Sequence, residues 1–266
     1  MISEVPSLTI LGSSCAIPRP GRACSSYLIE DRGRRTVLDF GTGAFANLRL
    51  HLRADMVDAI VISHLHTDHF LDLIPLRYAL RYGERARRGR VEVYLPPGGI
   101  AMLESVGAAL SRESGDFFHD VYELHEYDVR TTLWLGEAGI RFALTTHYIA
   151  AYAMRYESES GSLVYSADTA YDERVATLAR RADLFLCEAT LGAHGREVDG
   201  VHGHISAEEA GRLAEAAEVK RLLLTHYGAD SDPRELERAA RISYPGDVRV
   251  VDDHQQIAIG ADLQVA

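Results

Sequence analysis

The chain has 266 residues, 47% hydrophobic and 25% charged, with a formal net charge of −11 at pH 7. That length supports one large domain with a substantial core, or two small ones, and the composition is that of a folded soluble protein. The acidity argues against non-specific attraction to nucleic acid, which rests on a basic face.

No apolar run approaches the roughly 20 residues that cross a bilayer. The opening MISEVPSLTILGSS lacks a basic flank and reads as a strand, not a signal peptide. Cys15, Cys24 and Cys187 are odd in number and widely spaced, as expected of reduced thiols in a cytoplasmic protein. Strands broken by Gly- and Pro-containing turns dominate the first half, at 7–14, 25–31, 34–41, 58–64 and 91–96. Helices are expected at about 43–53 and 69–82, with 97–111 a third candidate. In the second of these, Phe70, Leu73, Ile74, Arg77 and Leu80 divide apolar from polar faces at helical spacing.

The second half repeats the rhythm. Strands at 131–136, 140–147, 154–158, 162–168 and 183–190 surround a helix at 172–181. Residues 206–218 form the clearest helix, with Ser206 as N-cap and Glu209 completing a capping box. A strand at 219–228, a helix at 232–244 and closing strands follow. Two comparable strand-rich halves, joined by many short turns, favour two facing sheets with helices outside over a doubly wound sheet.

Residues 60–71, IVISHLHTDHFL, crowd His64, His66, Asp68 and His69 directly behind a run of aliphatics. In an extended segment i and i+2 point the same way, so His64 and His66 aim together off the strand end. Asp68 and His69 follow where the chain bends into a helix. Any one of these has a plainer reading; Asp68, for instance, could cap that helix. Together, on a loop positioned by a buried strand, they point to metal binding. His147, Asp168 and His226 lie just beyond later strands. Five His and two Asp suit two borderline cations such as Zn²⁺, Mn²⁺ or Fe, and the lack of Cys argues against a closed structural zinc site.

HLHTDH, a later strand-end His, the segment SADT and a final LLLTH together resemble the metallo-β-lactamase superfamily. The resemblance extends over nearly the whole chain, including LTILGSS and VLDFGTG. It implies an α/β (α+β) fold, the four-layer αββα sandwich, as a single domain over 1–266 with the metal site at one edge between the sheets. It also implies that His64, His66 and His147 hold one metal, that Asp68, His69 and His226 hold the other, and that Asp168 bridges them. CEAT (187–190) and HGHISAEEAG (202–211) resemble the branch containing tRNase Z and compact phosphodiesterases. There, a Glu matching Glu188 orients a His matching His204 beside the metals. Phosphodiester cleavage expels an alkoxide, and a histidine held by a carboxylate can stabilise or protonate it.

Departures from that branch bear on substrate. The tRNA-processing members carry a Gly/Pro-rich arm between the third metal His and the bridging Asp. Here one hairpin's length of chain separates His147 from Asp168, and no arm fits. Ala167 stands where the family usually has Gly, and HYIAAYA lacks the Pro often found after that His.

The resemblance therefore implies a dinuclear-metal phosphodiesterase acting on small phosphodiesters such as cyclic nucleotides. A hydroxide bridging the metals and oriented by Asp68 would attack phosphorus, with His204 assisting the leaving oxygen. The alternatives are a tRNase Z-like RNA 3′-end endonuclease without the arm, or a lactonase, β-lactamase or arylsulfatase-type hydrolase. Two divalent ions per chain are expected, Zn²⁺ first and Mn²⁺ or Fe next. The expected partners are a small phosphodiester before RNA, no membrane, and a second copy in a homodimer. Residues 84–90 could hold a phosphate and 111–120 could form a lid or dimer contact, against plainer surface-loop readings. His194 and His202 are candidates for the site entrance, and Tyr148 and Tyr152 for the pocket wall.

Overall fold

The structure, a computed structural model, describes residues 5–83, 89–111, 117–198 and 202–260. The first half contributes β1 (Ser7–Gly12), β2 (Ser26–Asp31), β3 (Arg34–Phe40), β4 (Ala59–Val61), β5 (Val91–Leu95) and β6 (Tyr122–Glu126). The second contributes β7 (Leu133–Leu135), β8 (Ala138–Leu144), β9 (Tyr152–Ser158), β10 (Gly161–Tyr165), β11 (Leu184–Glu188), β12 (Arg221–Thr225), β13 (Asp247–Val250) and β14 (Gln256–Ala258). They form two seven-stranded sheets, ordered β14-β1-β2-β3-β4-β5-β6 and β13-β12-β11-β10-β9-β8-β7. Each sheet begins in antiparallel hairpins and continues in parallel strands. The β2–β3 hairpin turns at Arg32 and Gly33, both with positive φ (48° and 85°), the conformation a tight two-residue turn requires.

Parallel strands need helical crossovers. On the first sheet these are α1 (Ala44–His51), α2 (Thr67–Phe70), α3 (Leu73–Tyr82) and α4 (Gly99–Leu110); on the second, α5 (Glu173–Ala179), α6 (Ala207–Ala216) and α7 (Pro233–Ala240). The expected capping box of Ser206 and Glu209 starts α6. Period-2 alternation sends each parallel strand's side chains into two cores. Ile60 and Ile62 pack under the first sheet's helices, whereas Ala59 and Val61 face the opposite sheet. Leu222 and Leu224 pack under the second sheet's helices, whereas Leu223 faces across. Three apolar layers therefore separate four layers of structure, the αββα sandwich.

Three local expectations change. The helix expected at 69–82 is two, because Asp72 is anchored elsewhere. Its N–H donates to the Phe40 carbonyl (3.0 Å), and its carboxylate accepts from Phe45 N–H (2.7 Å) at the start of α1. The strand expected at 140–147 ends at Leu144, which frees His147 to sit in a loop. β6 was not expected, since YELHE is mostly polar, as suits an edge strand.

Of the proposed lid, residues 112–116 lie outside the described residues, as do 84–88 of the arginine-rich turn. Phe117 and Phe118 are buried in the first sheet's helix-side core. The Arg77 guanidinium donates to the Phe117 carbonyl and to Asp120, and lies 4.0 Å from the Phe117 ring centre. That part of the segment is core, not lid. Among the described residues no helix is long and apolar enough to cross a membrane, and the three cysteines are unpaired.

Candidate metal centre

The carboxyl ends of β3, β4, β10, β11 and β12 lead to one pole of the sandwich. Crevices beyond strand carboxyl ends are where open α/β sheets take ligands. Asp39, His64, Asp168, Glu188 and His226 lie at or just past these ends. α2 turns Asp68 and His69 into the same space, and the loop after β8 supplies His147. The approach is close: a Cβ at Gly41 would lie 1.9 Å from the Asp68 carbonyl oxygen, so glycine there lets the β3 end and the histidine loop touch. Asp39, Ala167 and His226 all have left-handed backbone (φ 55°, 50° and 51°), a strain of about 1–3 kcal/mol each that clusters at functional sites. At Ala167 this is a conformation that glycine would adopt without steric cost.

The seven expected donors converge. One group is His64, His66, His147 and Asp168; a second is Asp68, His69, Asp168 and His226; within each, candidate ligand atoms lie within 4.8 Å of one another. Asp168 belongs to both. Its Oδ2 is 3.7 Å from His64 Nε2, 3.8 Å from His147 Nε2 and 3.4 Å from His69 Nε2, while its Oδ1 is 3.5 Å from His226 Nε2. Asp68 Oδ2 is 3.3 Å from both His69 and His226 Nε2.

The outer hydrogen bonds fix which ring nitrogen faces inward. His147 Nδ1 is 2.7 Å from the Gly203 carbonyl, which can only accept, so Nδ1 carries the proton and Nε2 a lone pair. Ser63 Oγ gives its proton to Asp39 (2.7 Å) and so accepts from His64 Nδ1 (3.0 Å). Thr190 Oγ1 gives its proton to the His226 carbonyl (3.1 Å) and so accepts from His226 Nδ1 (2.8 Å). His69 Nδ1 donates to Asp39 Oδ2 (2.8 Å). His66 is reversed: its Nδ1 lies 3.2 Å from His64 Nε2 and 3.0 Å from His147 Nε2.

Neutral nitrogens at such spacing share at most one proton per pair. Tetrahedral donors with about 2.0–2.1 Å bonds to zinc sit roughly 3.3 Å apart, which these distances approach. Two buried atoms, His69 Nε2 and Asp168 Oδ1, have no hydrogen-bond partner, and both point to the space between the groups. The donor set therefore fits two divalent cations.

The electrostatics agree. Burial holds His64, His66 and His147 below the usual histidine range, the neutral state a ligand needs. Burial alone would raise Asp168 and Asp68, but the surrounding imidazoles hold both carboxyls well below the ordinary range. Burial would likewise lower His69, yet Asp168 and Asp39 push it well above. A proton on His69 answers the excess negative charge that a cation would otherwise balance.

Glu188 and His204 form the third group, with His226. Glu188 is fully buried; it accepts from Thr169 N–H (2.7 Å) and Thr190 N–H (3.2 Å), and from His204 Nδ1–H (2.9 Å). His204 thus turns Nε2 toward the centre. Burial alone would depress its pKa, but Glu188 raises it to about 9. The cavity over the centre, about 470 Å³, is walled by Cys15, Ile17, Leu65, Tyr148 and Thr190 beside the donors. Of the two tyrosines considered, Tyr148 lines it, whereas Tyr152 packs between the sheets against Tyr127. His194 pairs with Glu208 (2.8 Å) away from the centre.

Sequence reasoning missed Asp39. It is fully buried, accepts from Ser63 N–H (2.6 Å), Ser63 Oγ, His69 Nδ1 and the Tyr165 hydroxyl (2.9 Å), and braces ligands in both groups. A carboxylate inside the apolar stretch TVLDF is the signal that could have found it, because a buried charge needs partners. Asp39→Asn is expected to weaken metal affinity by about 10–100-fold, read by competition with a chromophoric chelator; unchanged affinity would remove Asp39 from this role.

The chain matches the family described as "Beta-lactamase superfamily domain" over residues 34–227. An uncharacterized protein of Mycobacterium leprae is 33% identical over 262 residues, covering 97% of this chain and 90% of its own. The metallo-beta-lactamase fold protein YhfI of Bacillus subtilis, a probable metallo-hydrolase, is 28% identical over 250 residues (91% of this chain, 96% of its own). Its crystal structure matches with a TM-score of 0.84 at 26% identity, covering 96% of this chain and 99% of that one. A ribonuclease Z of Haloferax volcanii is 27% identical over 300 residues, covering 94% of each chain.

Proposed function

The chain belongs to the beta-lactamase superfamily and is a metal-dependent hydrolase, and we propose that its substrates are small phosphodiesters, cyclic nucleotides first among those to test. The observation that carries this reading is the Glu188–His204 pair beside the donor cluster, because a leaving alkoxide needs a proton and His204 is placed to give one. His64, His66 and His147 would hold one divalent ion, Asp68, His69 and His226 the other, with Asp168 shared. Two such ions supply Lewis acidity toward phosphoryl oxygens and lower the pKa of water.

The chain's own residues do the rest. Asp68 offers a carboxylate beside the centre to orient the attacking water. Glu188, locked by two backbone N–H groups, holds the His204 ring, and His204 Nε2–H protonates the departing oxygen. Ile17 and Tyr148, 73% and 52% exposed at the mouth, offer apolar surface to the flat part of an ester.

A second reading, an RNA 3′-end endonuclease, draws support from the ribonuclease Z relative. The short hairpin of β9 and β10 and the net charge of −11 count against it. Metal-replete protein assayed with a cyclic nucleotide, a nitrophenyl phosphodiester, a precursor tRNA and a lactone separates these readings. Turnover of the first two is expected to exceed the others; turnover confined to the precursor tRNA or the lactone would overturn the proposal.

A further inference from the structure

Gly203 stands where two loops of the centre meet. Its carbonyl accepts from His147 Nδ1–H (2.7 Å) and so decides which nitrogen that ligand turns inward. Asp39 braces His69 directly and His64 through Ser63, and Glu188 holds His204; among the described residues neither carboxylate bonds to His147. A glycine backbone is the least constrained in a chain, so its carbonyl keeps one direction only where neighbours fix it.

Two neighbours do this. Glu197 divides its carboxylate: Oε2 accepts from Gly203 N–H (2.5 Å), and Oε1 accepts from the hydroxyl of Tyr148, the residue after His147. The Tyr148 ring lies against Gly203 itself, so closely that a Cβ there would come 2.4, 2.6 and 2.7 Å from three ring carbons. Gly203 is not among the glycines with positive φ, so the ring, not the backbone angle, demands glycine at this position. The contacts close a circuit. His147 bonds to Gly203, Gly203 to Glu197 and Glu197 to Tyr148, which the peptide bond joins back to His147. The imidazole is thereby held against its own stretch of main chain, and its side-chain angles are fixed.

We propose that Glu197 is a positioning residue of the metal centre: through Gly203 and Tyr148 it aims His147 Nε2 at the ion shared with His64 and His66, and it touches neither ion nor substrate. Only one of the two donor groups contains His147, so the clasp serves one ion. Asp39, in contrast, braces ligands of both groups. The inference rests on the two-cation reading of the centre and is independent of the choice of substrate.

The test is a titration of chelator-stripped protein with Zn²⁺ against a chromophoric chelator, which resolves the two affinities; His147→Ala marks the ion that depends on that ring. Glu197→Ala is expected to weaken the same ion by about tenfold, the low end for losing a ligand's outer partner, and to leave the other unchanged. Glu197→Gln should return to within about threefold of wild type, since its oxygen can accept from Gly203 N–H while its NH₂ donates to the Tyr148 oxygen. Gly203→Ala reaches the same ligand without altering Glu197, because the new methyl strikes the Tyr148 ring, and about tenfold loss from that ion is expected. No loss in Glu197→Ala, equal loss from both ions, or a Glu197→Gln variant as weak as Glu197→Ala overturns the proposal. Should Glu197→Ala fail to fold, unchanged affinity in Gly203→Ala overturns it. Wild-type protein that takes up a single ion would refute the two-cation reading instead, and the same variants then decide the clasp on that ion: weaker binding supports it, and unchanged binding overturns it.

Discussion

Asp168→Ala is expected to lower phosphodiester turnover by roughly 10³-fold or more and to leave the protein unable to retain two metal ions per chain. Asp168 is the one side chain common to both donor groups, and its two oxygens divide between them: Oδ2 faces His64, His69 and His147, and Oδ1 faces His226. Alanine removes the shared anion, leaving the first group with neutral histidines alone and the second with Asp68 as its one carboxylate. Asp168→Asn keeps the volume and one oxygen, so it should retain more metal than alanine while losing most of the activity. Elemental analysis after metal-replete purification reads the first effect and diester hydrolysis the second. Two retained ions in Asp168→Ala would show that the donor groups do not depend on this carboxylate.

The second large effect belongs to His204. His204→Gln should lower kcat by about 10²–10⁴ on substrates with alkoxide leaving groups, with little change in KM. The loss should shrink to a few-fold on a nitrophenyl diester, whose phenolate departs without a proton. The pH profile gives an independent check. Glu188 raises the His204 pKa to about 9, so the ring is the proton-bearing acid at neutral pH and loses that proton as pH rises. Bound cations nearby push the value down, so the descending limb of kcat against pH is expected at or below about 9. In His204→Gln that limb should be absent. A limb that persists, or an equal loss on both leaving groups, would assign His204 a structural role.

Much of this site could be read in the chain because metal donors are chosen locally. His64 and His66 share a direction through strand alternation, Asp68 and His69 follow at a helix start, and three further donors sit past the ends of apolar strands. Each strand's run of Val, Ile and Leu announces its burial, and the short turns between strands made the two facing sheets accessible, though not the strand order within them. What stayed hidden depends on contacts between distant segments. Asp39 meets His69 across 30 positions, and the Gly203 carbonyl meets His147 across 56; TVLDF marks Asp39 as a buried carboxylate, but no local pattern names the partner in either case. The break between α2 and α3 is of the same kind, since it rests on Asp72 reaching back to Phe40 and Phe45. The polar edge strand β6 carried too little alternation to be seen.

The central claim is that one cluster holds two cations and with them cleaves phosphodiesters. Its most direct test is a titration of chelator-stripped protein with Zn²⁺, Mn²⁺ or Co²⁺ while hydrolysis of bis(p-nitrophenyl) phosphate is followed. Activity is expected to rise with added metal and to break at two equivalents per chain. An absence of turnover at every ratio with all three metals, or a break at one equivalent, would contradict the account.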